Sequence, residues 1–146
     1  MHPCLVGVCI LSAVTVVDGD TLRVGDTRIR IIGIDSPEPS QTCKTNGGLL
    51  WKCGLEASKY MKQMVAGHQL QCSPQGTDYW NRILAMCGIV GTDKDIGREM
   101  VDNGWALLYK DYPPYQDSLE SAKENKFGIW AGQFIDPYHW RKGKRW

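Results

Sequence analysis

The sequence has almost no net charge, no membrane-length apolar run, no Cys-x-x-Cys pair and no internal repeat or low-complexity segment. Seventeen basic against sixteen acidic residues leave a formal charge of +1, so no global field draws the chain to a polyanion. Without a span of about 18 apolar residues a transmembrane helix is excluded. Residues 3–14 are mildly apolar but lack the basic start of an export signal, and cleavage there would cut into what reads as the first strand. Without Cys-x-x-Cys, a zinc ribbon or a thioredoxin-type site is not expected.

What is present describes one domain. The 146 residues, 42% apolar and 23% charged, suffice for a sizeable core. The charge is uneven: the last nine residues hold Arg141, Lys142, Lys144 and Arg145 and no acid, which reads either as a local attraction for polyanions or as a solvated tail. Six cysteines (Cys4, Cys9, Cys43, Cys53, Cys72 and Cys87) are many for a cytosolic chain of this length. They read as disulfides, hence as an oxidising compartment, secreted or periplasmic, although no export signal is evident. Six cysteines allow fifteen pairings, and the order alone does not choose among them.

Local patterns give a meander first. Residues 13–17 are β-rich, Asp18-Gly19 is a two-residue hairpin signal, and residues 20–24 alternate. Gly25-Asp26 makes a second turn into residues 28–34, a strand rich in isoleucine. Two-residue loops at both turns set Val17 opposite Asp20, Val24 opposite Thr27 and Thr21 opposite Arg30. Asp20 then neighbours Arg30, while Asp35 lies about 13 Å from Asp20 on a flat sheet. Coiling or barrel closure would have to bring the two acids together.

Further along, Cys43 and Cys53 bracket an irregular loop, and a bridge between them would contribute about 2–3 kcal/mol. Leu55, Ala57, Met61, Met64 and Val65 recur at helical spacing up to Gly67. Residues 68–73 and 82–90 read as strands around a loop at 74–81, a hairpin that would set Cys72 against Cys87. A second helix over 95–103 ends at Gly104, residues 105–109 form a short strand, and a third helix covers 115–127, with Trp130 anchoring its end. About five strands and three helices suit a small closed antiparallel barrel, which has no exposed edges.

Five charged residues look chemically placed, each with a structural alternative. Arg30 stands among isoleucines, where a guanidinium needs an anionic partner or a cleft; it could equally form a structural pair. Asp35 and Glu38 flank Ser36-Pro37, a stiff turn; Asp35 could merely cap that turn and Glu38 be a solvated loop acid. Asp20 could merely support its hairpin, and Arg82 could pair with Asp78.

The joint pattern is more specific. Val-Val-Asp-Gly-Asp-Thr at 16–21, Arg-Ile-Ile-Gly-Ile-Asp-Ser-Pro-Glu at 30–38, Cys-Gly-Leu-Glu-Ala-Ser at 53–58 and Thr-Asp-Tyr-Trp-Asn-Arg-Ile-Leu-Ala at 77–85 resemble, in that order, the thermonuclease (staphylococcal nuclease-like) family. Gly-Ile-Trp at 128–130 matches the end of the family's last helix. The resemblance implies a mainly β, α+β fold: a five-stranded OB-fold barrel with three helices over residues 10–133, leaving 134–146 as a basic C-terminal tail. It implies a monomeric, calcium-dependent nuclease cutting DNA and RNA with little sequence preference and leaving 3′-phosphate and 5′-hydroxyl ends. Asp20, Asp35 and the Ser36 carbonyl would hold the calcium ion, Glu38 would activate the attacking water, and Arg30 and Arg82 would grip the phosphate. Trp80, Tyr109 and Tyr112 would line the nucleotide site.

Where the family has an aromatic and then glycine before its second arginine, this chain has Trp80-Asn81-Arg82. Asn81 suits the left-handed conformation that the glycine would supply. The competing function is a catalytically inactive OB-fold module that binds nucleic acid.

Overall fold

The computed structural model describes residues 2–146. Strands β1 (Cys9–Leu11), β2 (Thr15–Asp18), β3 (Thr21–Val24) and β4 (Thr27–Ile31) open the chain. Short β5 (Ile34–Asp35), β6 (Cys43–Lys44) and β7 (Leu50–Trp51) lead into helix α1 (Cys53–Val65). Strands β8 (Leu70–Thr77) and β9 (Ile83–Ile89), helix α2 (Ile96–Asp102), strand β10 (Leu107–Leu108), and helices α3 (Gln116–Asn125) and α4 (Pro137–Arg141) follow. The fold is mixed α+β, mainly β and OB-like. Instead of the expected closed five-stranded barrel, it has a curled six-stranded sheet of order β1-β8-β9-β4-β3-β2. All its pairings are antiparallel except that of β4 with β9.

The extra edge strand β1 escaped the sequence reading because it is only three residues long; the Cys4–Cys9 disulfide ties it to a 3-10 turn at Pro3–Leu5. The other two bridges join Cys43 to Cys53 and Cys72 to Cys87, the latter as direct cross-strand partners of β8 and β9. Strand β8 also runs through Pro74 rather than stopping at residue 73. A bulge between Pro74 and Gly76 absorbs the missing N–H.

The first hairpin corrects a register. Asp18, not Val17, is paired, and it faces Thr21; Gly19-Asp20 are the turn residues, with an irregularity between Val16 and Asp18. The cause is local. Asp18 Oδ1 accepts from Asp20 N at 3.0 Å, an Asx turn that moves the reversal one residue along. The second hairpin is as expected, with Val24 opposite Thr27 and Thr21 opposite Arg30.

Leu22, Ile29, Ile31, Ile34, Leu70 and Ile83 from the strands meet Met61 of α1 and Ile96, Met100 and Val101 of α2 in the main core. A smaller cluster forms around the Cys43–Cys53 bridge and Ile129, with Trp51, Trp130 and Phe134 packed on it. Of the Ile129-Trp130 pair, Ile129 is the buried one.

The last residues, read as a tail, are folded in the structure. Asp136 caps α4 by accepting from His139 N at 2.9 Å, Pro137 occupies the first turn, and Trp140 is buried. Asp-Pro ahead of an aromatic is a helix-start signal that the run of basic residues masks.

Candidate active site

The acidic turn is built where β4 ends. The strand breaks at Ile32-Gly33; Gly33 has φ +82°, and a side chain there would collide with the Tyr112 ring. The chain then re-enters a sheet as β5, paired with β10 rather than with β3. Arg30 braces this corner, donating to the carbonyls of Ile31 and Ile34, both at 2.8 Å. The corner closes the 13 Å gap that a flat sheet would leave. Ser36 N donates to Asp20 Oδ2 at 3.0 Å, and Arg30 lies 3.5 Å from Asp20 and 4.0 Å from Asp35.

Beyond Pro37 the turn is pinned from both sides. Gln41 is buried, accepts from Glu38 N at 3.1 Å, and donates to Ile135 O at 2.6 Å. Gly54, in the first turn of α1, lets the helix backbone meet the Glu38 carbonyl; a β-carbon would overlap it. Cys53, beside it, carries the bridge to Cys43. The disulfide and Gly54 therefore serve one purpose, holding helix α1 against the acidic turn.

Five of the expected site residues, Asp20, Arg30, Asp35, Ser36 and Glu38, thus come together. Tyr109 joins them, its ring 5.9 Å from the Arg30 guanidinium, and Tyr112 packs behind Gly33. Arg82 and Trp80 form a separate group at the β8–β9 hairpin tip. Asp78 organises that tip: Oδ1 accepts from Trp80 N and Arg82 N, and Oδ2 accepts from Arg82 Nε at 2.7 Å. The Arg82 guanidinium lies 5.4 Å from the centre of the exposed Trp80 ring, and Asn81 takes φ 62°, the conformation its family position requires.

Two residues of the cluster were not foreseen. Asp18 is the first. Burial, then the neighbouring Asp20 carboxylate, pushes its pKa up to about 7. As a hairpin signal Asp18 accounts for the turn alone, although it stands within the motif that holds Asp20. The second is Arg141 of α4. It donates to both oxygens of Asp35, at 3.0 and 3.1 Å, and to Glu38 at 2.8 Å. No spacing rule links residues 106 positions apart; the one signal is Trp140 beside it, an aromatic in a basic run that asks for burial.

Asp35 is buried, and that burial raises its pKa even though Arg141 and Arg30 pull the other way. An anionic pair of buried carboxylates is costly unless a cation offsets it. Two guanidinia do so here. Among the described residues no three His, Cys, Asp or Glu side chains already form a metal cage. The donors themselves still suit a hard divalent cation: two carboxylates, the Ser36 carbonyl, and a buried Ser36 Oγ that has no partner.

The family model described as staphylococcal nuclease homologue matches residues 28–132. An uncharacterized endonuclease of Escherichia coli is 31% identical over 140 residues, covering 90% of this chain and 84% of its own length. Endonuclease YhcR of Bacillus subtilis is 30% identical over 79% of this chain. The succinoglycan biosynthesis protein ExoI of Rhizobium meliloti is 28% identical over 85% of it. The chain spans 66% of the length of ExoI and 11% of that of YhcR. Among the described residues no helix is long and apolar enough to cross a membrane. With the match to more than half its length, and with the acidic corner where the family motifs fall, the chain belongs to the staphylococcal nuclease homologue family, and its domain is of the nuclease hydrolase class.

Proposed function

We propose that this chain is a secreted or periplasmic, monomeric, calcium-dependent nuclease that hydrolyses DNA and RNA with little sequence preference. The observation that carries the reading is the corner at Gly33, which places Asp20, Asp35, Glu38 and Arg30 in one cluster. The three disulfides fit an oxidising compartment.

Asp20, Asp35 and the Ser36 carbonyl would hold the calcium ion, which supplies positive charge for the phosphate oxygens. Glu38 takes a proton from water; the hydroxide attacks phosphorus, the bond to the 5′ oxygen breaks, and that oxygen leaves protonated by solvent. The products are a 3′-phosphate and a 5′-hydroxyl. Arg30 and Arg82 oppose the charge that builds on the non-bridging oxygens, as planar forks do better than lysines. Trp80 and Tyr109 offer exposed ring faces to bases.

Plasmid DNA and RNA should both be degraded in calcium, with 3′-phosphate ends, and degradation should stop in chelator. Cleavage that persists in chelator would remove the metal from the mechanism. Tight binding without cleavage in calcium would make the chain a binding module.

The hairpin tip gives a second expectation. Asp78→Ala removes the three bonds that shape Trp80-Asn81-Arg82. Burial pushes this carboxyl up, but the bonds from Arg82 and Trp80 outweigh it and hold it below the usual range. Since Arg82 loses its aim, cleavage should fall roughly tenfold to a hundredfold. Cleavage equal to wild type would separate Arg82 from the reaction.

A further inference from the structure

We propose that Arg141 is a built-in cation that closes the acidic site when no divalent metal is there, and that the C-terminal helix α4 carries it as a latch the metal must displace. The inference rests on reading Asp20 and Asp35 as metal ligands, and it assigns a regulatory contact to a segment outside the matched family domain, which ends at residue 132.

The geometry is that of a competitor. Arg141 occupies both oxygens of Asp35 and one oxygen of Glu38. These are the acid proposed to hold calcium and the acid proposed to activate water. A divalent ion on Asp35 would sit a few ångströms from this fork, and two cations that close repel strongly where the carboxylate between them is buried. The Asp35 side chain is only 10% exposed, so this is not an exposed surface pair of negligible weight.

The mounting is built to hold the guanidinium there. Trp140, the preceding residue, is buried. Arg145 stacks on its ring at 3.7 Å and donates to its carbonyl at 2.9 Å. Gln41 ties Ile135, just ahead of α4, to the acidic turn itself. The Arg141 side chain is nonetheless 39% exposed. It can therefore swing into water without unfolding α4, so the latch opens by side-chain rotation alone.

Calorimetric titration of calcium into the wild type, Arg141→Met and Lys142→Met tests this. Arg141→Met keeps the aliphatic stem and should bind calcium at least about tenfold more tightly than the wild type, the scale of a lost charge-assisted contact. Lys142→Met removes a neighbouring charge that makes no contact with the acids, and should change affinity by no more than about twofold. Arg141→Met should melt lower than the wild type without calcium and gain more from its addition. Should that variant misfold by circular dichroism, Arg141→Lys replaces it: it keeps the charge, loses the fork, and should bind several-fold more tightly. Unchanged or weaker affinity in the folded variant overturns the latch, as does an equal gain in Lys142→Met. If neither the wild type nor Arg141→Met binds calcium, the metal reading fails and the latch falls with it; binding by the wild type with no gain in the variant fails the latch alone.

Discussion

Glu38→Gln should lower phosphodiester cleavage by about 10²–10⁴-fold, the usual range for losing a general base. The amide keeps the length of the side chain and can still accept from Arg141, but it cannot take a proton from water. The backbone N–H of Glu38 is held by Gln41, so the residue keeps its place in the turn when Arg141 swings away. Its side chain is 30% exposed and stands at the rim of the cluster, beside the buried Asp20 and Asp35. The substitution should therefore leave stability within about 0.5 kcal/mol, and calcium affinity, if Glu38 is no metal ligand, close to that of the wild type. The measurement is single-turnover cleavage of a labelled oligonucleotide in saturating calcium, beside a thermal melt. A fall of less than about tenfold would mean that another group activates the water; Asp18, half-buried beside Asp20 with its pKa raised to about 7, would be the next acid to replace.

What the sequence made legible was local chemistry. Alternation and turn residues gave the β3–β4 hairpin in the right register, because Gly25-Asp26 closes it without competition. The neighbouring hairpin slipped by one residue because a side chain, Asp18, took over the turn, an interaction that strand alternation does not register. The nearness of Asp20 and Asp35 was not legible at all from spacing. It depends on one left-handed glycine and on β5 leaving β3 for β10, a tertiary choice. The family motifs supplied that nearness without its cause. They supplied nothing about Arg141, which lies beyond the last of them; the contact exists because Trp140 is buried and carries its neighbour to the acids. The Asp78–Arg82 pair, by contrast, was foreseen as the structural alternative for Arg82, and it coexists with the stacking on Trp80.

Arg30→Met should be the most damaging single change to the fold near the site, with a loss of about 3–5 kcal/mol, the usual result of removing one member of a buried charge pair. Its side chain is 12% exposed, and its two bonds to the carbonyls of Ile31 and Ile34 span the Gly33 corner. Methionine would fill the space but remove the donor that both carbonyls share and the cation that faces Asp20. In a domain of this size the loss corresponds to a melting point lower by about 10 °C. Calcium should restore part of it, because positive charge returns to Asp20 and Asp35, but not the part owed to the carbonyls. Arg30→Lys should behave differently again: it returns the charge without the fork and cannot bond both carbonyls at once, so some stability and little activity should come back. Melts of the three proteins with calcium and with chelator give the structural share, and turnover per folded molecule gives the catalytic share. Wild-type melting in Arg30→Met would mean that the fork does not hold the corner. Lower stability with unchanged turnover would make Arg30 a brace alone and leave the phosphate to Arg82. The expected result is loss of both, because the guanidinium that fixes the corner is also the one that faces the two acids across it.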